Sequence, residues 1–173
     1  GFTAKDDNLP PRLTQEAARL THGARIFAYP VTDPQRYGVV ALDEQGRVTD
    51  IIEKPVNPPS RLAVVGLYFY DGRVCEMARS LKPSARGELE ITDLNRLYLR
   101  DGALGMTLLG RGHAWLDTGT YESLVEASEF VRTIEKRQGL KVACLEEIAF
   151  RMGYLDREGL RARARALASS PYG

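Results

Sequence analysis

The sequence is short of the residues that build disulfide frameworks and metal clusters. It has two cysteines, Cys75 and Cys144, and two histidines, His22 and His113, none at ligand spacing. Buried thiols in a reducing compartment are the expectation for the cysteines, and the cytoplasm is the expected location. Net charge is nearly absent as well. Lysine and arginine number 24 against 23 acidic residues, a formal +1. Such a chain has no general attraction for nucleic acid or an anionic membrane, so neither partner is expected and any anion site must be local. No apolar run is long enough to cross a bilayer, and no signal-peptide core stands at the N-terminus. What is present is 173 residues, 43% hydrophobic and 27% charged. That composition is typical of a soluble globular chain with a core.

Periodicity and punctuation outline an α/β fold. Residues 1–12, with adjacent Pro10 and Pro11, read as irregular. Leu13 to Leu20 has helical spacing, with Gly23 placed to close the helix. Ala24 to Tyr29 is a short apolar strand. Val39–Leu42 and Val48–Ile52 flank a hairpin turn at Asp43-Glu44-Gln45-Gly46. Ala63 to Tyr70 is the most apolar strand and is expected to be central and covered on both faces. Helical spacing follows at Val74–Leu81 and Leu94–Tyr98, then a strand at Leu104–Leu109. Thr120 is placed to cap a long helix that runs through Gln138 and stops at Gly139, with Leu124, Ala127, Val131 and Ile134 on one face. Two more helices are expected at Glu146–Met152 and Asp156–Ala168. Alternating strands and helices predict a sheet with helices packed on it.

Four constellations carry chemistry, each with a plain structural alternative. In Arg36-Tyr37-Gly38 the glycine lets backbone approach a ligand, or is a turn glycine beside a packed tyrosine. Glu53-Lys54-Pro55 leaves the C-terminal end of a strand, where open α/β sheets bind ligands. Its carboxylate suits sugar hydroxyls and its ammonium suits a phosphate, while a surface ion pair would account for both charges. Lys82, and Arg86-Gly87 ahead of Glu88-Leu89-Glu90-Ile91-Thr92-Asp93, offer an oxyanion site at a helix start, or ordinary first-turn residues. Asp117 lies between a Trp115-Leu116 pair expected to be buried and a Thr118-Gly119-Thr120 turn. It suits Mg²⁺ shared with phosphate oxygens, or caps the following helix.

These strings, in their order, resemble the glucose-1-phosphate thymidylyltransferases, a branch of the sugar nucleotidylyltransferases. The likeness runs through Arg36-Tyr37-Gly38-Val39-Val40, Glu53-Lys54-Pro55, Val65-Gly66-Leu67-Tyr68-Phe69-Tyr70-Asp71, Lys82-Pro83-Ser84 and Arg86 to Asp93. It continues through Gly110-Arg111-Gly112 and Trp115 to Thr120. Arg137 to Cys144 with Glu146-Glu147-Ile148-Ala149 points to the thymidylyl branch. The resemblance covers about Gly23 to the C-terminus and implies the C-terminal portion of a Rossmann-like nucleotidyltransferase with mixed sheet, flanking helices, a small hairpin and C-terminal helices. Residues 1–22 then form an atypical leading segment and short helix, and 23–173 the family portion.

The resemblance implies a reaction in which dTTP and glucose 1-phosphate give dTDP-glucose and pyrophosphate with Mg²⁺, as in dTDP-rhamnose and polysaccharide biosynthesis. It implies that Tyr37, Gly38, Glu53, Val64, Gly66 and Tyr68 line the sugar pocket, and that Lys54 and Arg86 hold phosphate oxygens and act in catalysis. Asp117 becomes a metal carboxylate, and Glu147, Ile148 and Arg151 part of a regulatory nucleotide site at the contacts of a homo-oligomer, a tetramer in the family. The family's glycine-rich loop ending in Thr-Arg-Leu has no counterpart. Its second metal aspartate falls on Phe2, or on Asp6-Asp7-Asn8 if a deletion is allowed. The isolated chain is therefore expected to be inactive, with one flank of its sheet uncovered. A uridylyl- or adenylyltransferase for a hexose 1-phosphate, a non-catalytic sugar-nucleotide-binding module, and a fragment surviving only as an oligomer are the alternatives.

Overall fold

A computed structural model describes residues 9–170 and Tyr172, with side chains from Leu13 onward. Asp6, Asp7, Asn8 and Phe2 lie outside the described residues. The chain divides into two compact units, 1–115 and 116–173.

The first unit opens with helix α1 (Leu9–Arg19). It starts earlier than its apolar spacing predicts. Pro10 and Pro11 fall in the first turn, where a missing N–H costs no helical bond and the fixed φ suits the helix. Gly23 does not close this helix. It has φ +93, and a Cβ there would lie 2.3 Å from the Ala103 carbonyl oxygen. The residue is glycine because another strand end passes against it.

Five strands follow: β1 (Ala24–Pro30), β2 (Gly38–Leu42), β3 (Val48–Glu53), β4 (Leu62–Tyr70) and β5 (Leu104–Leu108). They form one mixed sheet in the order β3-β2-β4-β1-β5, parallel between β1 and β5 and antiparallel elsewhere. Helices α2 (Val74–Ser80) and α3 (Ile91–Arg100) make the crossover from β4 to β5. The β2–β3 turn is tied by Asp43, whose Oδ1 accepts from the N–H groups of Gln45 at 3.0 Å and Arg47 at 2.8 Å.

β4 is central in the strand order, as its composition predicts, yet β1 is buried more completely on its two faces than β4. Ile26, Phe27 and Ala28 are all 0% exposed, while Leu67 to Tyr70 on β4 stay half-buried. Ile26 and Ala28 pack with Val40 and Ile51, and Phe27 packs on the opposite side with Val65 and Leu109. Full burial of a side chain such as Ile26 or Phe27 stabilises by about 1.5–3 kcal/mol. Neither cysteine is a buried thiol. Both are free, Cys75 is exposed and Cys144 half-buried. Cys75 misses the core because Val74, Met77 and Ala78 are the α2 residues that face it.

The second unit is helical: α4 (Tyr121–Gln138), α5 (Leu145–Arg151) and α6 (Arg157–Ala166). Thr120 caps α4 in a reciprocal capping box with Ser123, and Gly139 ends it at φ 68. Asp156 caps α6 by accepting from the Gly159 N–H at 2.7 Å. On the predicted α4 face Ala127, Val131 and Ile134 are half-buried, whereas Leu124 is exposed.

Asp71, just after β4, joins most of the first unit. Its carboxylate accepts from the Gly23 N–H at 2.7 Å, the Tyr98 hydroxyl at 2.9 Å, and the N–H and Nε of Arg73 at 3.0 Å. It thereby ties the start of β1, the start of α2 and the end of α3 to the end of β4. Burial alone would push the Asp71 carboxyl up, but these donors hold it well below the usual carboxylate range. A depressed carboxylate contributes fully above its unfolded-state pKa and loses that contribution as pH falls through its folded value. Asp71→Asn is expected to lower the melting temperature at pH 7, with the gap to the native protein closing as pH is taken below about 4. A gap that does not change with pH would contradict this role.

Candidate functional site

Glu53 ends β3 directly opposite Gly38, the first residue of β2. The pairing brings the Glu53 carboxylate over a position with no side chain. A Cβ on Gly38 would lie 3.1 Å from Thr92 Oγ1 and 3.2 Å from Glu53 Oε2. Into that space α3 delivers Thr92, whose hydroxyl donates to Glu53 Oε2 at 2.5 Å. Thr92 is 3% exposed, so this charge-assisted bond is shielded from water. Tyr68, on β4, sits close enough to feel the carboxylate. Burial pushes its hydroxyl pKa up, and the charge of Glu53 pushes it further. Tyr68 and Val64 both pack on the same buried cluster of Ile26, Ala28, Val40 and Ile51.

Lys54 is exposed and has φ 44, the left-handed region, although it is not glycine and precedes Pro55. Such a conformation costs about 1–3 kcal/mol and needs outside support. The support is the Lys54 N–H, which donates to the Tyr37 carbonyl at 3.0 Å. The Tyr37 ring in turn meets Trp115 edge to face at 5.0 Å between centroids, and the Arg36 guanidinium lies 5.4 Å from the Tyr37 ring centroid. Strain at Lys54 is thus held by the backbone of the aromatic residue two strands' ends away from it in sequence, at the same end of the hairpin as Glu53.

Gly66 lies in an irregular stretch of β4. A step from Ile26 to Ala28 on β1 is matched by a step from Tyr68 to Val64 on β4, so Val65, Gly66 and Leu67 stand opposite Phe27 alone. The bulge leaves Gly66 exposed, with nothing within 4 Å of where a Cβ would be. Bulges of this kind re-aim a strand beside a site. Here Gly66 lines an open depression of about 450 Å³ with Leu109, His113 and Trp115.

Arg86 is placed differently from the expectation. Helix α3 begins at Ile91 with Glu90 as its N-cap, so Arg86 lies in the preceding turn and not at the helix start. Its guanidinium pairs with Glu88 at 3.0 Å and lies 3.8 Å from Glu90, partners that a phosphate would have to displace. Lys82 is exposed.

In the second unit, Asp117 is not the cap of α4, because Thr120 fills that place. Asp117 Oδ1 instead accepts from the Gly119 N–H at 3.2 Å in a local turn, with the residue half-buried. Among the described residues no group of three or more His, Cys, Asp or Glu could hold a metal on its own. A single carboxylate fits Mg²⁺ only where phosphate oxygens and water complete the shell. Trp115 is half-buried and Leu116 38% exposed, so the two do not form the buried pair expected from sequence. On α5, Glu147 pairs with Arg151 and Ile148 is 47% exposed.

Thr92 and Trp115 were not among the residues singled out from sequence as site residues. Thr92 reads as ordinary first-turn chemistry, and its partner is 39 positions away. Trp115 carried a signal as the sole tryptophan beside Asp117, but not its packing on Tyr37.

A family model described as nucleotidyl transferase matches residues 6–134. A glucose-1-phosphate thymidylyltransferase of Neisseria meningitidis serogroup A is 58% identical over 159 residues, covering 92% of this chain and 55% of the relative. One of Xanthomonas campestris pv. campestris is 58% identical over 151 residues, covering 87% of this chain and 51% of the relative. The chain therefore spans about half the length of the curated relatives it matches. Among solved structures, a Bacillus anthracis chain described as a putative glucose-1-phosphate thymidylyltransferase, in complex with a sucrose, aligns with TM-score 0.63 and 40% identity over 70% of this chain and 48% of that one. A UDP-glucose pyrophosphorylase aligns with TM-score 0.56 at 22% identity over 70% of this chain and 48% of that one, a likeness of fold alone.

The strained backbone at Lys54 makes a direct test of geometry. Glycine adopts a positive φ without the steric cost, at an entropic cost of about 0.5–1 kcal/mol. Lys54→Gly is expected to raise stability by about 1 kcal/mol, while Lys54→Ala, which keeps the strain, leaves it near native. Chemical denaturation of both variants checks this, and a destabilised Lys54→Gly protein would contradict it.

Proposed function

Because the chain belongs to the nucleotidyl transferase family, we propose that it supplies the sugar-phosphate side of a glucose-1-phosphate thymidylyltransferase. In that reaction an oxygen of the glucose 1-phosphate phosphate attacks the α-phosphorus of dTTP in line, pyrophosphate leaves, and dTDP-glucose forms. The observation that carries the reading is the Glu53 carboxylate held on buried Thr92 across Gly38, next to a Lys54 locked in a strained backbone. A fixed carboxylate is a selective acceptor for paired sugar hydroxyls, and an adjacent ammonium neutralises the phosphate. The preference for thymidylate and glucose is supported by relatives 58% identical.

Each group has a defined task on this reading. Glu53 accepts from sugar hydroxyls, with Gly38, Val64, Gly66 and Tyr68 forming the walls and Tyr37 supporting Lys54. Lys54 and Arg86 hold phosphate oxygens, Arg86 after leaving Glu88. The protein lowers the barrier by positioning and by charge neutralisation, since the phosphates do the bond-making themselves. Asp117 is the carboxylate proposed for Mg²⁺, which when bound would offset the charge of the phosphate oxygens. The same reading makes the protein a cytoplasmic homo-oligomer. Exposed Leu145, Ile148, Met152 and Tyr154 around α5 support an association surface there, where Glu147, Ile148 and Arg151 would face a regulatory nucleotide.

The reading is tested by titration calorimetry with glucose 1-phosphate and by turnover of the whole enzyme. Glu53→Ala is expected to weaken glucose 1-phosphate by about 10²-fold or more while the KM for dTTP changes little. Asp117→Asn is expected to keep stability within about 1 kcal/mol, since capping rests on Thr120, and to cut Mg²⁺-dependent turnover by about 10²–10³. Equal weakening of both substrates by Glu53→Ala would instead mark a folding defect and sink the assignment.

A further inference from the structure

We infer that Thr92 is a positioning residue for sugar recognition: its hydroxyl holds one oxygen of Glu53, so that the other oxygen is presented to a substrate hydroxyl. The inference rests on the reading of Glu53 as the sugar acceptor and deepens it.

The geometry leaves Thr92 a narrow set of roles. Its side chain is β-branched and therefore stiff about its first torsion, and it is 3% exposed. A threonine hydroxyl has one proton to donate, and here that proton is directed at Glu53 Oε2. The terminal torsion of a glutamate is broad when nothing restrains it. One short bond to Oε2 removes that freedom and leaves the acceptor sites of Oε1 to other donors. Gly38 is part of the arrangement, because a Cβ there would press on both partners at 3.1 and 3.2 Å. Tyr68 is near enough to Glu53 that burial, and then the charge of that carboxylate, push its hydroxyl pKa up. The carboxylate is thus oriented before a sugar arrives, which spares the ordering cost at binding.

Thr92 is not what holds α3 in place. Two further buried residues follow on the same helix face, and each has its own partner. Asn95 accepts from the Tyr70 hydroxyl at 2.7 Å, and Tyr98 donates to Asp71 at 2.9 Å. With these bonds intact, Thr92→Val is expected to fold, so an effect on sugar recognition can be separated from an effect on stability.

The experiment titrates the full chain with glucose 1-phosphate and with its monodeoxy analogues, each lacking one ring or exocyclic hydroxyl. The native chain is expected to bind at least one analogue about tenfold more weakly than glucose 1-phosphate. In Thr92→Val that penalty should shrink to within about twofold, with glucose 1-phosphate itself weakened about tenfold. Thr92→Ser, which keeps the hydroxyl, should restore most of the penalty. Tyr98→Phe serves as the structural control: it should lower the melting temperature and leave the penalty intact. If Glu53→Ala erases the penalty and Thr92→Val preserves it, the positioning role is overturned while the sugar site stands. If the native chain penalises no analogue, or Glu53→Ala retains the penalty, the reading of Glu53 falls and takes this inference with it.

Discussion

A single short hydrogen bond, from the Thr92 hydroxyl to Glu53, sets the terms for the site around it. A Cβ on β2 at this point would crowd both partners, so Gly38 serves packing and not flexibility. The bond joins the first turn of α3 to the end of β3, while Asn95 and Tyr98 hold the rest of the helix on the sheet. A charged group taken partly out of water needs a strong donor, and a buried threonine supplies one at lower cost than a second full charge. The strained residue at Lys54 follows immediately, so the turn that leaves β3 is built around the place where Glu53 is held.

The polar face of α3 extends the same logic along the sheet. Thr92, Asn95 and Tyr98 recur three residues apart and meet Glu53, Tyr70 and Asp71 in turn. Residues three and four apart share one face of a helix, so one buried stripe meets the end of β3, the end of β4 and the residue just after it. Stacked Tyr68 and Tyr70, with ring centroids 5.9 Å apart, and Tyr70 against Tyr98 at 5.5 Å fill the space between these bonds with aromatic surface. The Tyr98 hydroxyl is pushed up to about 12 by burial and by its bond to Asp71, so it remains a donor at any working pH. A helix registered by several polar pairs resists the small slides that an all-apolar contact would tolerate, which suits a site that must hold a carboxylate in one orientation.

The parts of this arrangement legible in the sequence are those whose physics is local. The cap at Thr120 and the stop at Gly139 involve neighbours in the chain, and the structure has both. The β2–β3 hairpin is announced by its turn residues and closed by Asp43. What sequence did not reveal depends on distant partners. The full burial of Ile26, Phe27 and Ala28 on β1 comes from Val40 and Ile51 packing on one face and Val65 and Leu109 on the other, not from its own short apolar run. The early start of α1 at prolines, which look like helix breakers until their place in the first turn is known, is another case.

The central claim is that Glu53 and Lys54 meet the two ends of a sugar phosphate. A crystal structure of the chain with glucose 1-phosphate bound tests it most directly. The account predicts a sugar hydroxyl about 3 Å from the Glu53 oxygen that Thr92 does not hold, with the phosphate at the Lys54 ammonium. A sugar phosphate seated instead in the basic groove of Arg132, Lys136 and Arg137, with Glu53 untouched, would contradict it.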